Sequence, residues 1–343
     1  MSSGEPARPR KLSFPLPKNY FGLVEVSAAQ KIEYQDLVHR RINAVLGDEQ
    51  LYAERKANKL PCLPPADWKY MRSYQDLKIY RRRRRRRSLK EVAAEEDFPE
   101  AVQSVADGQP SIVATGSIAG TIENLLYGFS STNYEELRTL VSFQDPGTDA
   151  AILRTFELAT PEDPLHYFGL KWLYNASAPI LVPRDICYVE AMGVERDVNG
   201  EKYGYLIIHS VDLPECPPFE PSEANVLRGK LYFSCLFRDV APGVVDVVVR
   251  GIFDTAGALR RFSLPYTNLM PYATAAFVSG LIKAVDCADA KKLTLLARYN
   301  SVTGRNRDAL NVDEKNPKHG VCAICIKRVG TVQCEKQTRV PWA

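Results

Sequence analysis

The chain has 343 residues, 45% hydrophobic and 25% charged, enough to bury a large core as one big domain or two. Its net charge of +4 arises from 45 Lys and Arg against 41 Asp and Glu, yet seven arginines stand in one run at residues 81–87, and without that run the balance would be −3. A surface built to coat a phosphate backbone spreads its basic residues over a whole face, so this distribution speaks against a nucleic-acid-coating protein. The opening MSSGEPARPRKLSFPLP lacks the apolar run of a secretory signal, and nowhere do about 18 apolar residues run together. A soluble intracellular protein is expected.

Residues 1–20 are Pro-rich and basic, the composition of a flexible leader, disordered or draped on the surface. SAAQKIEYQDLVHRRINAVLGDEQLYAER follows, with Ser27 and Gln30 at capping-box spacing and Ile32, Tyr34, Leu37, Val38, Ile42, Val45 and Leu46 in one apolar stripe, which predicts an amphipathic helix. DLKIYRR then reads as a strand, and residues 81–110 read as a long polar insertion held at both ends by a hairpin. Residues 112–129 are strand-like but interrupted by Gly116 and Gly120, after which STNYEELRTLVSF, with Thr132 and Glu135 at box spacing, predicts a second helix ended by DPGTD. Strands are expected over 151–159, 166–175, 184–192, 203–212 and 228–238, and GVVDVVVRGIF with the turn DTAG completes the set.

Residues 266–300 read as one long helix carrying Leu269, Ala273, Ala276, Phe277, Gly280, Leu281, Ala284 and Val285 on one face. A mid-helix glycine costs roughly 1 kcal/mol relative to alanine, so Gly280 signals a close approach: plain packing on the sheet, or a helix covering a cavity. The order helix, strands, short helix, many strands, long helix describes an α+β domain with an antiparallel sheet and no βαβ alternation.

No phosphate-binding glycine loop, HExxH or GxSxG elbow occurs. His209 and Ser210 are strand neighbours that point to opposite faces, so they cannot act as a catalytic pair, and a non-enzymatic protein is expected. Cys62, Cys187, Cys216, Cys235 and Cys287 show no framework spacing and are expected as reduced thiols. Beyond a polar linker at 301–318, the tail 319–343 holds His319, Cys322, Cys325 and Cys334. That set fills a tetrahedral zinc site, and the competing reading is a tail with free thiols.

The segments WKYMRSYQDLKIYRR, PILVPRDICYVEAMG, GYLIIHSVDLPECPP, VLRGKLYFSCLFRDV and VVVRGIFDTAGALRRFSLP resemble the steroidogenic-acute-regulatory-related lipid transfer (START) family over about residues 60–300. The pattern is Arg184 and Asp185 opening a strand, then HSV, then Arg228, then D-x-x-G before a long terminal helix. The resemblance implies a START-like domain over 21–300 with the helix-grip fold, a curved antiparallel sheet and a long C-terminal helix over an apolar cavity, and with one lipid bound there. Alternation puts Ile186, Tyr188, Glu190 and Met192 on one strand face, which the resemblance implies is the cavity face. Lipid contacts are then expected from Tyr188, Glu190, Met192, His209, Tyr232, Phe277, Gly280 and Leu281. Some members of the family carry a basic residue where Glu190 stands, with an acidic partner on the preceding strand; this chain offers Lys171 and Trp172 there. Glu190 otherwise reads as a strand-end carboxylate in water or paired with Arg184 or Arg228, and His209 as a satisfied core histidine.

The cysteine knuckle of the tail resembles the opening of a FYVE-like or RING-like zinc finger, without the second knuckle or the R-x-H-H-C-R patch. Arg81, Arg82, Arg83, Arg84, Arg85, Arg86 and Arg87 read as a fully solvated loop, as an anchor for anionic membrane, or as a nuclear-import signal. The expected protein is a cytoplasmic, membrane-peripheral lipid binder. Its rival is an adaptor or nucleic-acid-associated protein in which the core is filled and the arginine run and tail contact partners.

Overall fold

In this computed structural model the described residues are 12–302 apart from 146, 177–181 and 257–269, and the side chains of 270–277 and 301–302 also lie outside the description. The chain divides into two compact units, Met1–Val285 and Asp286–Ala343; of the second, residues 286–302 are described, as helix.

Ten strands form one sheet: β1 (Trp68–Tyr74), β2 (Leu77–Arg82), β3 (Ser111–Ala119), β4 (Thr148–Glu157), β5 (Tyr167–Asn175), β6 (Arg184–Arg196), β7 (Lys202–Ser210), β8 (Leu227–Arg228), β9 (Lys230–Ala241) and β10 (Val244–Asp254). Nine of them follow the order β1-β2-β3-β10-β9-β7-β6-β5-β4 with every neighbour antiparallel, and the short β8 pairs parallel with β6. The helices are α1 (Ala28–Ala57), α2 (Leu89–Ala93), α3 (Pro99–Ala106), α4 (Ile122–Phe129), α5 (Tyr134–Gln144) and α6 (Met270–Val302). The expected α+β class, with its curved antiparallel sheet and long C-terminal helix, is what the chain forms.

The central strands are apolar on both sides because both sides are covered. β6 is buried continuously from Arg184 to Ala191 and on to Gly193. On its inner face Ile186, Tyr188 and Met192 join Leu206, Phe233, Cys235 and Val249 under α4 and the segment of α6 that carries Val278, Leu281 and Ala284. On its outer face Cys187, Val189 and Ala191 join Trp172, Ile207 and Leu236 under Val38, Ile42 and Val45 of α1. The capping box of Ser27 and Gln30 starts α1 as predicted, although Ile32 of the predicted stripe is 56% exposed.

Several expectations are corrected. Residues 12–20 are draped on the sheet and not disordered: Leu16 is buried and donates its N–H to Asp149 at 2.6 Å, and Phe14 stacks on Tyr174 with centroids 3.8 Å apart. Residues 81–110 are not a polar insertion either. Ser88 and Glu91 form a capping box that starts α2, and Val92, Ala93, Phe98, Ala101 and Val105 make a small apolar cluster against Tyr232 and Ile252 on the outer face. The glycine-interrupted stretch 112–129 is a strand followed by a helix, because Thr121 caps α4 and ends the extended run. The cap of α5 is Asn133 rather than Thr132, while Thr132 bonds Glu136 instead of Glu135.

Among the described residues Gly280 is not a point of close approach, since a Cβ there would meet nothing nearer than Gln144 Oε1 at 3.9 Å. The close approach falls at Gly128 of α4, where a Cβ would lie 1.9 Å from the carbonyl oxygen of Ala284. The long helix is closely approached, as expected, but at Ala284 by α4 and not at Gly280.

Candidate functional site

The inner face is largely apolar, with a buried ion pair in its middle. Lys171 stands among Tyr167, Gly169 and Leu173, the inward positions of β5, and Glu190 lies on the adjoining strand, across from Gly169 in the β5–β6 register. The Lys171 ammonium donates to Glu190 Oε1 at 2.5 Å and to Ser131 Oγ at 3.0 Å, and sits 4.2 Å from the centroid of the Tyr167 ring. Lys171 and Ser131 are fully buried, and Glu190 is 7% exposed. Burial, followed by the Glu190 charge, raises the phenols of Tyr167 and Tyr188 above their ordinary range, so both remain neutral.

Two charges withdrawn from water cost several kcal/mol each before their attraction offsets it, which makes an ion pair a poor way to fill an apolar core. What it supplies is chemistry. The ammonium has three protons, two of them committed to Glu190 and Ser131, and the carboxylate keeps further acceptor capacity. A polar group arriving on this face therefore meets both a donor and an acceptor.

Of the predicted contacts, Tyr188, Glu190, Met192 and Leu281 lie on this inner side, with Leu281 fully buried in the same apolar cluster. Glu190 is paired with Lys171, not with Arg184 or Arg228, and does not reach water as a strand-end carboxylate. Gly280 is on α6 but touches nothing closely, and the Phe277 side chain lies outside the described residues. Lys171 and Ser131 were not among the predicted contacts. The signal for Lys171 was a lysine inside the otherwise apolar run YFGLKWLY; Ser131 carried none, since its loop gains meaning only when packed on the sheet.

His209 and Tyr232 face the other way. They are register neighbours on β7 and β9, on the outer side beneath α1 and α3. Arg41 of α1 donates Nε to His209 Nδ1 at 3.1 Å and lies 4.0 Å from the centroid of Phe98 and 5.7 Å from that of Tyr232. These two residues are thus corrected from ligand contacts to core packing. Burial, then the charges of Arg41, Arg40 and Lys230, push His209 down from 6.5 to about 2. The unfolded chain takes up a proton below about pH 6.5 that the folded chain refuses, so stability falls by about 1.4 kcal/mol for each further unit of acidification. In urea unfolding near pH 7.5 and near pH 5, wild type is expected to lose about 2 kcal/mol more than His209→Gln, whose amide oxygen still accepts from Arg41. Equal losses would mean that the ring is solvated.

The family-like signature is structural here. Asp185 is fully buried and accepts from Arg228 Nη2 at 2.7 Å and from Trp172 Nε1 at 2.9 Å, while Arg228 also donates to the carbonyls of Cys216 and Pro217, each at 3.0 Å. The arginine run is split rather than fully solvated. Arg81 and Arg82 end β2; Arg82 and Arg87 pair with Glu95, and Arg83 donates to the carbonyl of Trp68 at 3.0 Å. Arg84, Arg85 and Arg86 are exposed.

His319, Cys322, Cys325 and Cys334 lie outside the described residues. Among the described residues no group of His, Cys, Asp and Glu is placed to hold a metal ion, and no helix is long and apolar enough to cross a membrane. Cys62, Cys187, Cys216, Cys235 and Cys287 are free thiols.

No family model and no curated protein matches the chain. Among solved structures, the chain is similar to human STARD10, with 13% identity over 70% of this chain and 79% of that one and a TM-score of 0.41. It is also similar to human StAR-related lipid transfer protein 5, with 18% identity over 71% and 97% and a TM-score of 0.39. The lipid transfer and protein localization domain of human StarD13 shows 11% identity over 64% and 88%, with a TM-score of 0.42.

Proposed function

We propose that the protein binds a single lipid against the inner face of its sheet, with the acyl or ring body on the apolar layer and the polar end at Lys171 and Glu190. The observation that carries this reading is the buried ion pair set in a largely apolar face that is flanked by α4 and α6. Each lipid CH₂ removed from water contributes about 0.8 kcal/mol, offset by the ordering of the chain, so binding needs no catalytic group. The polar pair would set the orientation of the ligand and select among headgroups. For docking on anionic membrane, the exposed Arg84, Arg85 and Arg86 are the available part of the run, contributing about 1 kcal/mol each instead of the full seven.

Native mass spectrometry of the full chain is expected to show a lipid-sized adduct that leaves on denaturation. In uptake assays with a fluorescent phospholipid and a fluorescent sterol, the double variant Lys171→Met/Glu190→Leu is expected to bind at least about tenfold more weakly whichever probe wild type prefers, because charge-assisted hydrogen bonds to the polar end are lost. Absence of an adduct together with no uptake of either probe would overturn the reading.

A further inference from the structure

A concave site lies on the outer side, between the N-terminal segment and the loop that joins β7 to β8. It is a notch of about 220 Å³ formed by the rings of Tyr20, Phe21 and Phe219, by Pro217 and Pro218, and by the carboxylates of Glu215 and Glu223. Tyr20 stands at 88° to Phe21 with centroids 5.1 Å apart, and at 42° to Phe219 with centroids 6.2 Å apart, so the rings meet the space at different angles. Among the described residues no basic side chain lines the notch, and neither carboxylate has an ion-pair partner.

The notch is held in shape from behind. Arg228, itself fixed by Asp185, donates to the Pro217 carbonyl at 3.0 Å. The N–H of Leu12 donates to the Glu223 carbonyl at 2.9 Å, and Phe219 packs edge-on against Phe14 and Trp172, with centroids 5.8 and 6.2 Å away. A site assembled before its ligand arrives avoids the ordering cost of forming it.

We infer that this notch recognises a guanidinium group carried by an extended, arginine-bearing peptide of a partner protein. Aromatic faces attract cations, and two carboxylates beside them repel anionic lipid and nucleic acid. Guanidinium fits better than ammonium because it is planar, weakly hydrated and able to stack on a ring while its forked donors engage a carboxylate. Adjacent prolines and aromatic rings give an extended peptide backbone a surface to lie on.

Fluorescence anisotropy of the full chain with a labelled Gly-Gly-Arg-Pro-Gly peptide tests this, against the same peptide with norleucine or lysine in place of arginine. The arginine peptide is expected to bind at least about tenfold more tightly than the norleucine one, and Glu215→Gln/Glu223→Gln or Phe219→Leu to remove about tenfold of that affinity, without a shift in the thermal transition of the double glutamine variant. Equal binding of arginine and norleucine peptides, or unchanged binding by the glutamine variant, would overturn the site. Equal binding of the lysine peptide would overturn the choice of guanidinium. The full chain carrying Arg8→Gln, Arg10→Gln and Lys11→Gln is expected to bind as wild type; a tenfold gain would make the chain's own basic N-terminus the occupant and overturn the partner.

Discussion

Glu190→Ala is expected to lower the free energy of unfolding by about 3–5 kcal/mol, the cost of leaving a buried charge without its counter-ion. Lys171 is fully buried, and among the described residues its other acceptor is the hydroxyl of Ser131, which cannot replace a carboxylate. The double variant Lys171→Met/Glu190→Leu removes both charges while keeping most of the volume, and is expected to recover most of the loss or to exceed wild type. Urea unfolding of the three proteins decides it. A single-variant loss below about 1 kcal/mol would show that water reaches the ammonium and that the inner face is wet at this point.

The second large effect lies where α4 meets α6. Gly128→Ala places a Cβ 1.9 Å from the Ala284 carbonyl oxygen and 2.6 Å from its carbonyl carbon, and neither atom can rotate away because both belong to the backbone of a helix. The expected cost is about 1–3 kcal/mol for forcing the helices apart, although alanine favours a helix over glycine by about 1 kcal/mol. Gly280→Ala, on the other partner of that contact, is expected to act in the opposite sense. Its Cβ meets nothing nearer than 3.9 Å, so the gain in helix propensity of up to about 1 kcal/mol stands uncancelled. Thermal unfolding of the two variants should give shifts of opposite sign; shifts of the same sign would mean that the helices are not in the observed contact.

Local chemistry made much of this chain legible from its residues. The capping box of Ser27 and Gln30 and the apolar, aromatic or β-branched stretches of β5, β6, β7 and β10 are local properties of the chain, so the α+β class and the long terminal helix could be read directly. The facing of Ile186, Tyr188, Glu190 and Met192 could be read for the same reason, since a strand alternates with a period of two wherever it lies. What alternation leaves open is which face of one strand joins which face of the next. His209 and Tyr232 were therefore grouped with Tyr188, and only the register of β6, β7 and β9 shows that they point to α1 instead.

The polar appearance of residues 81–110 misled for a related reason. Their charges are spent on pairing Arg82 and Arg87 with Glu95, close in sequence, and Glu96 and Asp97 with Arg250, about 150 residues away, while a thin apolar side docks on the sheet; the distant arginine and the docked side leave no mark in a local window. Glycine spacing likewise could not tell Gly280 from Gly128, because close approach is a property of two helices and not of one. The sequence by itself determined the long helices, most of the strands and the face each residue takes within its own strand or helix. Only the tertiary structure decided that Lys171, Ser131 and Glu190 meet, because burying an ion pair is tolerable only where both charges and their hydrogen-bond partners arrive together.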